Sequence, residues 1–338
     1  MKPKSFYPPG KLPLEKLETL LKQNKAFAPE IVVGPGIGRD AAVIDFGEKY
    51  LVAKTDPITF VTDEIGYYAV NINANDIACT GARPGWFLVT VLLPEGKTDE
   101  ALVDSIFQQI SAACRDLGIG LAGGHTEITA GIDRPLIVGQ MLGEVEKDRL
   151  VKPERIEIGD LVILSKGIAI EAVSILAREK EEELAKKFGS LFVEKSRNFL
   201  FEPGISVLED AMIAAETVPV HAFHDPTEGG LSGGLYELAR AGLVGLAIDK
   251  NRIPIFPATE KFCDYFHIDP FGVIASGALL IVTTAVDADS VAGALQKNKI
   301  SAEIIGEVIS PENGVLLLNG NQSAPFPKFD RDEITKIL

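Results

Sequence analysis

A chain of 338 residues with 46% apolar content is long enough to bury two cores of ordinary size and reads as globular. Its 48 Asp and Glu against 33 Lys and Arg give a formal charge of −15, which repels phosphate backbones and anionic lipid and argues against nucleic acid or membrane as a partner. No run reaches the roughly 18 uninterrupted apolar residues of a membrane span; the nearest, Gly272 to Val286, is broken by Ser276, Gly277, Thr283 and Thr284 and reads as a buried strand pair.

The start carries Pro3, Pro8 and Pro9 without an apolar stretch, so no signal peptide is expected. Cys79, Cys114 and Cys263 lie far apart and form no C-x-x-C site, as in a reducing cytoplasm. Pro13 suits the first turn of a helix whose Leu14, Leu17, Leu20 and Leu21 recur at helical spacing. From Ala41 to Thr55 two apolar runs separated by Gly47 and Glu48 predict a hairpin. A helix follows from Gly66 to Ala82, and Thr98 can cap another that runs to Gly118. The Gly-punctuated GIGLAGGHTEIT and the run PLIVGQMLGEV predict strands that complete an α+β first half.

The polar, Pro-containing KPERIEIGD has the composition of a crossover, which divides the chain into residues 1–150 and 151–338. Beyond it come the strand LVILS, a helix from about Ala169 to Lys187, a helix from Gly233 to Ala241 and the strand LLIVTT, the alternation of an α/β sandwich. The charges from Arg178 to Lys187 alternate in sign at helical spacing and predict a solvated face.

The most informative stretch is VVGPGIGRDAAVID, residues 32–45, a glycine-rich turn leading into Arg39 and Asp40. A dinucleotide fingerprint would need these glycines to open a helix, whereas a hairpin follows, and no complete G-x-x-x-x-G-K-[ST] pattern is present, which removes a P-loop. Asp56 in AKTDPIT, Asp76 in NINANDIACTGARP and Asp225 in FHDPTEGGL are further acids among small and polar neighbours. On its helix Asp76 shares a face with Asn73 and Thr80, polar groups that are costly amid Ala and Ile unless they find partners. Magnesium with a nucleotide triphosphate would supply them. Taken singly, each aspartate reads equally well as a cap or turn former.

In order and spacing, GPGIGRDAAVID, KTDPIT, NDIACTGARP, GGHTEIT and HDPTEGGL resemble the family of aminoimidazole ribonucleotide synthase, the hydrogenase maturation factor HypE, selenophosphate synthetase and thiamine monophosphate kinase. The resemblance spans nearly the whole chain. It implies a two-domain PurM-like fold, homodimeric through a sheet of the first domain, with an α/β sandwich as the second. It also implies that ATP and Mg2+ are bound, with Asp40, Asp56, Asp76 and Asp225 as metal and nucleotide ligands. Gly36 and Gly38 would lie against the phosphates, with Gly123 and Gly124 of the GGHT turn nearby. His125, where relatives have Asp or Glu, reads either as a hydrogen-bond donor to phosphate or as a satisfied loop histidine.

The pattern also departs from HypE. The chain ends DEITKIL without the cysteine that HypE modifies; Glu127 stands where HypE carries a lysine; the acid of HypE's ANEG corresponds roughly to Gly277; and SKGIAIEAVSILA and Glu228 differ from their HypE counterparts. The ATP end is retained and the acceptor end is changed, as in HypE-like proteins described as AIR synthase-related. His125 and Glu127 are left as candidate catalytic groups. The expected chemistry is phosphoryl transfer to an amide or carboxylate oxygen of a small or protein-borne acceptor. A small-molecule kinase and a nucleotide-binding maturation partner without turnover are the rival readings. His221 and His224 could be drawn as a zinc site, although extended H-x-x-H spacing before Pro226 need not converge. His224 reads instead as a neighbour of Asp225. Trp86 and Phe87 could stack on adenine, or, as the resemblance favours, be buried between subunits.

Overall fold

The hairpin predicted between Ala41 and Thr55 is present as β2 (Ala42–Asp45) and β3 (Lys49–Ile58), paired antiparallel with Asp45 opposite Tyr50. Gly47 takes φ 95° at its turn, where its N–H donates to Asp45 Oδ1 at 3.1 Å. The computed structural model describes residues 12, 14–23, 28–36, 39–59 and 61–338. The prolines at 3, 8, 9 and 13, and Gly38 of the glycine-rich turn, lie outside them. The amphipathic N-terminal helix is α1 (Leu14–Gln23), followed by the short strand β1 (Ile31–Val33).

The first sheet adds β4 (Arg83–Pro94), β5 (Gly120–Thr129) and β6 (Leu136–Glu146), in the spatial order β1-β2-β3-β6-β4-β5. Helix α2 (Ile65–Ala78) precedes β4, and α3 (Glu100–Asp116) carries the chain from β4 to the parallel β5. The α3 cap is Asp99, whose side chain accepts from Leu102 N, while the Thr98 hydroxyl turns back to Pro94 O. Helix α2 ends four residues before the predicted Ala82, and Gly81 there takes φ 77°. Nearly every α2 side chain is buried, because the helix is covered by the sheet on one side and by other elements around it. Gly139 and Gly143 of β6 let it lie close: a Cβ on them would fall 2.3 Å from Asn73 Nδ2 and 2.5 Å from Ile77 Cγ2.

Strand β4 is interior and Phe87 packs in the chain's own core, while Trp86, 43% exposed, points outward. The open edge belongs to β5, exposed along its length, with Leu121 and Ile128 uncovered. The exposed edge of this sheet therefore lies one strand beyond Trp86 and Phe87.

The second sheet runs β13-β12-β9-β11-β7-β10-β8, formed by β7 (Leu161–Ser165), β8 (Ala222–His224), β9 (Gly245–Asp249), β10 (Leu280–Thr283), β11 (Ala302–Ile309), β12 (Val315–Asn319) and β13 (Gln322–Pro325). Period-two alternation explains its continuous apolar runs. Val162 and Leu164 of β7 face Leu231, Leu235 and Leu238 of α8 (Gly230–Gly242). Ile163 between them faces α7 (Leu208–Thr217) and α10 (Ala288–Lys297). Both faces are covered, which makes the expected α/β sandwich.

The long helix expected from Ala169 to Lys187 is two, α4 (Ile170–Glu179) and α5 (Glu181–Phe188), broken at Lys180, and α6 (Ser190–Arg197) follows. Arg178 is not on a solvated face: its guanidinium pairs with Asp63 at 2.8 Å and donates to Arg197 O. Gly272 to Val286 contains one strand, β10, preceded by a buried turn in which Gly277 takes φ 106°. One apolar core joins the first sheet and α2 to Ile170 and Val173 of α4 and to Phe262 of α9 (Pro257–Phe266). Among the described residues no helix is long and apolar enough to cross a membrane.

Candidate functional site

Four of the predicted site residues converge where the two halves meet. Asp40 stands just before β2, Asp56 near the end of β3, Asp76 in the last turn of α2 and Asp225 just after β8. Helix α2 is held there by Asn75, whose side-chain amide donates to Ile205 O and accepts from Val207 N, both at 2.8 Å. Those two bonds fix Asp76, the next residue, against the second half.

At the centre of the cluster is a residue not singled out from the sequence, Lys54. It precedes Asp56 by two along β3, so both side chains leave the same face of the strand. Its Nζ lies 3.1 Å from Asp76 Oδ2 and 3.6 Å from Asp56 Oδ2. Burial works against the charge of this ammonium, but the fields of Asp76, Asp56 and Asp40 outweigh it and hold the group protonated. Asp76 is itself raised well above the usual carboxylate range, first by burial and then by repulsion from Asp225, Asp56 and Asp40, which Lys54 only partly offsets.

The opposite corner is formed by Asp40, Cys79 and Asp225, each with a ligand atom within 4.8 Å of the others'. Burial and the Asp40 charge push Asp225 up to about 7, against the opposing pull of His224 and Lys54. Its Oδ1 accepts the Cys79 thiol at 3.3 Å, while its buried Oδ2 has no hydrogen-bond partner. Burial and the surrounding aspartates keep that thiol protonated. The His224 ring reaches Asp40 Oδ2 through Nδ1 at 3.3 Å and Glu237 Oε2 through Nε2 at 3.1 Å. Burial opposes its charge, but the two carboxylates raise its pKa well above the usual histidine value. His221 turns elsewhere, to Asp160 at 2.7 Å, so the H-x-x-H pair forms no zinc site.

Carboxylate oxygens with an unpartnered buried oxygen among them suit a hard divalent ion such as Mg2+, and a thiol that stays protonated does not suit zinc. The residues present therefore fit the magnesium that the sequence pattern implies, with Asp40 and Asp225, whose ligand atoms lie within 4.8 Å of each other, as donors. Gly36 lies at the start of the segment leading to Asp40, packed on the Arg39 side chain, which pairs with Glu154 at 2.9 Å.

The GGHT residues are elsewhere in the chain. Gly123, Gly124, His125 and Glu127 lie on the edge strand β5, three strand spacings from β3, or about 14 Å. Gly124 is required by packing, since a Cβ there would collide with Val89 O. His125 Nε2 meets Glu127 Oε2 at 3.1 Å on the exposed face of the strand, and Thr129 donates to the same carboxylate. Within one chain this turn does not approach the aspartates.

Beside Asp56 lies a cavity of about 40 Å3 bounded by Ile72, Glu171, Thr227, Glu228 and Ser276. Glu171 is buried, which pushes its carboxyl up to about 8; contact with Ser276 counteracts this, and Glu228 and Asp332 add to it. Glu171 opens α4, a position that reads in the sequence as an ordinary first-turn acid.

A two-part family model, described as AIR synthase related protein, matches this chain with its N-terminal domain over residues 38–145 and its C-terminal domain over residues 157–319. The chain belongs to the AIR synthase-related family. A Methanocaldococcus jannaschii protein described as a hydrogenase expression/formation protein is 27% identical to this family member over 319 residues, 91% of each chain. The carbamoyl dehydratase HypE of Rhizobium leguminosarum bv. viciae is 28% identical over 287 residues, covering 82% of this chain and 78% of its own. A crystal structure of the hydrogenase maturation protein HypE in complex with ATP has a TM-score of 0.68 at 20% identity, over 92% of this chain and 90% of that one. That likeness establishes the two-domain fold of this AIR synthase-related chain.

Proposed function

We propose that this chain is a Mg-ATP-dependent enzyme that activates an amide or carboxylate oxygen by phosphoryl transfer, in a maturation reaction of the hydrogenase type. The convergence of Asp40, Asp56, Asp76 and Asp225 from both halves carries the reading, with Asp225 Oδ2 buried and unpartnered among them. Relatives named carbamoyl dehydratase HypE, and a HypE solved with ATP, support the same chemistry. Bound Mg2+ would neutralise charge developing on the transferring phosphoryl group. The chain's own residues would do the positioning: Asp40 and Asp225 would hold the ion, Gly36 would lie against the phosphates, and the cavity beside Asp56 would receive the acceptor oxygen.

In this reading residues 1–150 form the ATP-binding and dimerising domain and residues 151–338 the domain that closes over it. A second copy pairing along the open edge of β5 would cover Leu121 and Ile128 and bring His125 and Glu127 into the dimer. The separation of His125 and Glu127 from the aspartates in one chain favours, as a second reading, a nucleotide-binding maturation partner without turnover. ATP hydrolysis measured with and without a panel of amides, carboxylates and carbamoyl donors separates the two. Stimulation by one class of acceptor supports the enzyme, and Mg-ATP binding with no turnover under any of them supports the partner.

A further inference from the structure

The four aspartates form two unequal pairs. Asp56 and Asp76 already share a cation, the Lys54 ammonium, at 3.6 and 3.1 Å. The Lys54 side chain is 21% exposed and that of Asp76 is 6% exposed, so this charge is enclosed in the site. Asp76 Oδ2 and Asp225 Oδ2 are both buried without a hydrogen-bond partner, but Asp76 Oδ2 faces the ammonium at 3.1 Å, whereas in the other pair, Asp40 and Asp225, the neighbouring Cys79 gives a thiol hydrogen only to Asp225 Oδ1.

We propose that Lys54 is a resident cation of the nucleotide site, taking the Asp56–Asp76 half in place of a divalent ion and leaving the Asp40–Asp225 half for the metal. The proposal rests on the Mg-ATP reading and narrows it. A divalent ion bridging Asp56 and Asp76 would have to draw on oxygens that the ammonium already engages, and would meet its positive charge at close range. Strand geometry keeps the ammonium in place: Lys54 and Asp56 project from the same face of β3, beneath the last turn of α2, which Asn75 ties to the second half. The nucleotide then meets one fixed cation and one exchangeable one, and the number of divalent ions it carries falls accordingly.

The test counts ions directly. Mn2+ bound per chain is measured by electron paramagnetic resonance during titration of the full chain, with and without β,γ-methylene-ATP. Lys54→Met removes the charge at nearly constant length, and Lys54→Arg retains it. The expected result is one more Mn2+ per chain in Lys54→Met than in the wild type, with Lys54→Arg matching the wild type. An unchanged Mn2+ count and affinity in Lys54→Met overturns the proposal while leaving the Mg-ATP reading intact. Absence of any nucleotide-dependent Mn2+ in wild type and variants sinks both. Should Lys54→Met fail to fold, acetylation of the wild type followed by mass spectrometry still decides. Lys54 should stay protected with and without Mg2+ and β,γ-methylene-ATP, and its becoming reactive when they bind would show the ammonium displaced and the proposal wrong.

Discussion

His224 Nδ1 lies 3.3 Å from Asp40 Oδ2, an ion pair that ties the last residue of β8 in the second sheet to the segment entering β2 in the first. The same ring bonds Glu237 on α8, so one cation serves three elements across the junction of the halves.

Removing that cation takes one charged contact from each of two largely buried carboxylates, a loss that in buried pairs typically costs about 3 kcal/mol or more. His224→Ala should destabilise the unliganded protein by about that amount at pH 6. The folded pKa of His224 is raised, so its contribution is complete below the ordinary histidine value of 6.5 and disappears as pH rises through the folded value. Urea unfolding at pH 6 and at strongly alkaline pH should therefore give a large and then a small difference between wild type and variant. A difference that does not shrink would mean the ring acts through packing alone.

The open edge of β5 gives a second expectation. Leu121 and Ile128 are exposed on a strand hydrogen-bonded on one side only, and a charge placed there opposes edge-to-edge pairing. The wild type should sediment as a dimer at micromolar concentration, and Ile128→Lys as a monomer with unchanged circular dichroism. A wild-type monomer would remove the basis for a dimer.

Much of this was legible in the sequence because the signals are local. Gly47 between two apolar runs marks the hairpin, and LVILS, apolar on both faces, marks a strand covered on both sides. The aspartates stood out because acids flanked by Ala, Ile and Gly need partners. Lys54 is not legible in this way, because a lysine in a strand reads as a surface residue until a helix is known to lie over it. The displacement of His125 and Glu127 was not legible at all. It follows from strand order, and the parallel crossover through α3 that puts β5 at the edge is a non-local choice. The break at Lys180 was hidden for another reason: the charge alternation continues across it, while the chain turns to pack α5 and α6.

Glu171 supplies a pH-dependent prediction. Its folded carboxyl is raised from the usual glutamate range to about 8, chiefly by burial, with Glu228 and Asp332 adding repulsion. The sign is that of a raised group: its contribution is intact below about pH 4.5 and is lost progressively up to about pH 8. Glu171→Gln mimics the neutral form at the same side-chain length. It should be nearly neutral at pH 4.5 and stabilise the unliganded protein by about 2–4 kcal/mol at pH 8.5. Equal stability of the two proteins at pH 8.5 would show that water or a counter-ion reaches the carboxylate.

Asp225 tests the site itself. In the unliganded protein burial and Asp40 push its carboxyl up to about 7, so ionising it costs stability as pH rises from about 4 to 7. Binding of Mg-ATP should reverse that cost, since a divalent ion is the partner its unpaired Oδ2 lacks. A ligand that binds only the folded state adds about 2.7 kcal/mol at a hundredfold excess over Kd, which should raise the melting temperature by several degrees. ATP without Mg2+ should do much less. Asp225→Asn keeps the shape and removes the charge, so at pH 8 it should melt higher than wild type when unliganded and lose most of the Mg-ATP shift. Glu95→Gln, an exposed change at the far end of β4, should do neither. If Asp225→Asn kept the full Mg-dependent shift, the carboxylate would be a structural partner of Cys79 and the metal would have to lie elsewhere in the chain.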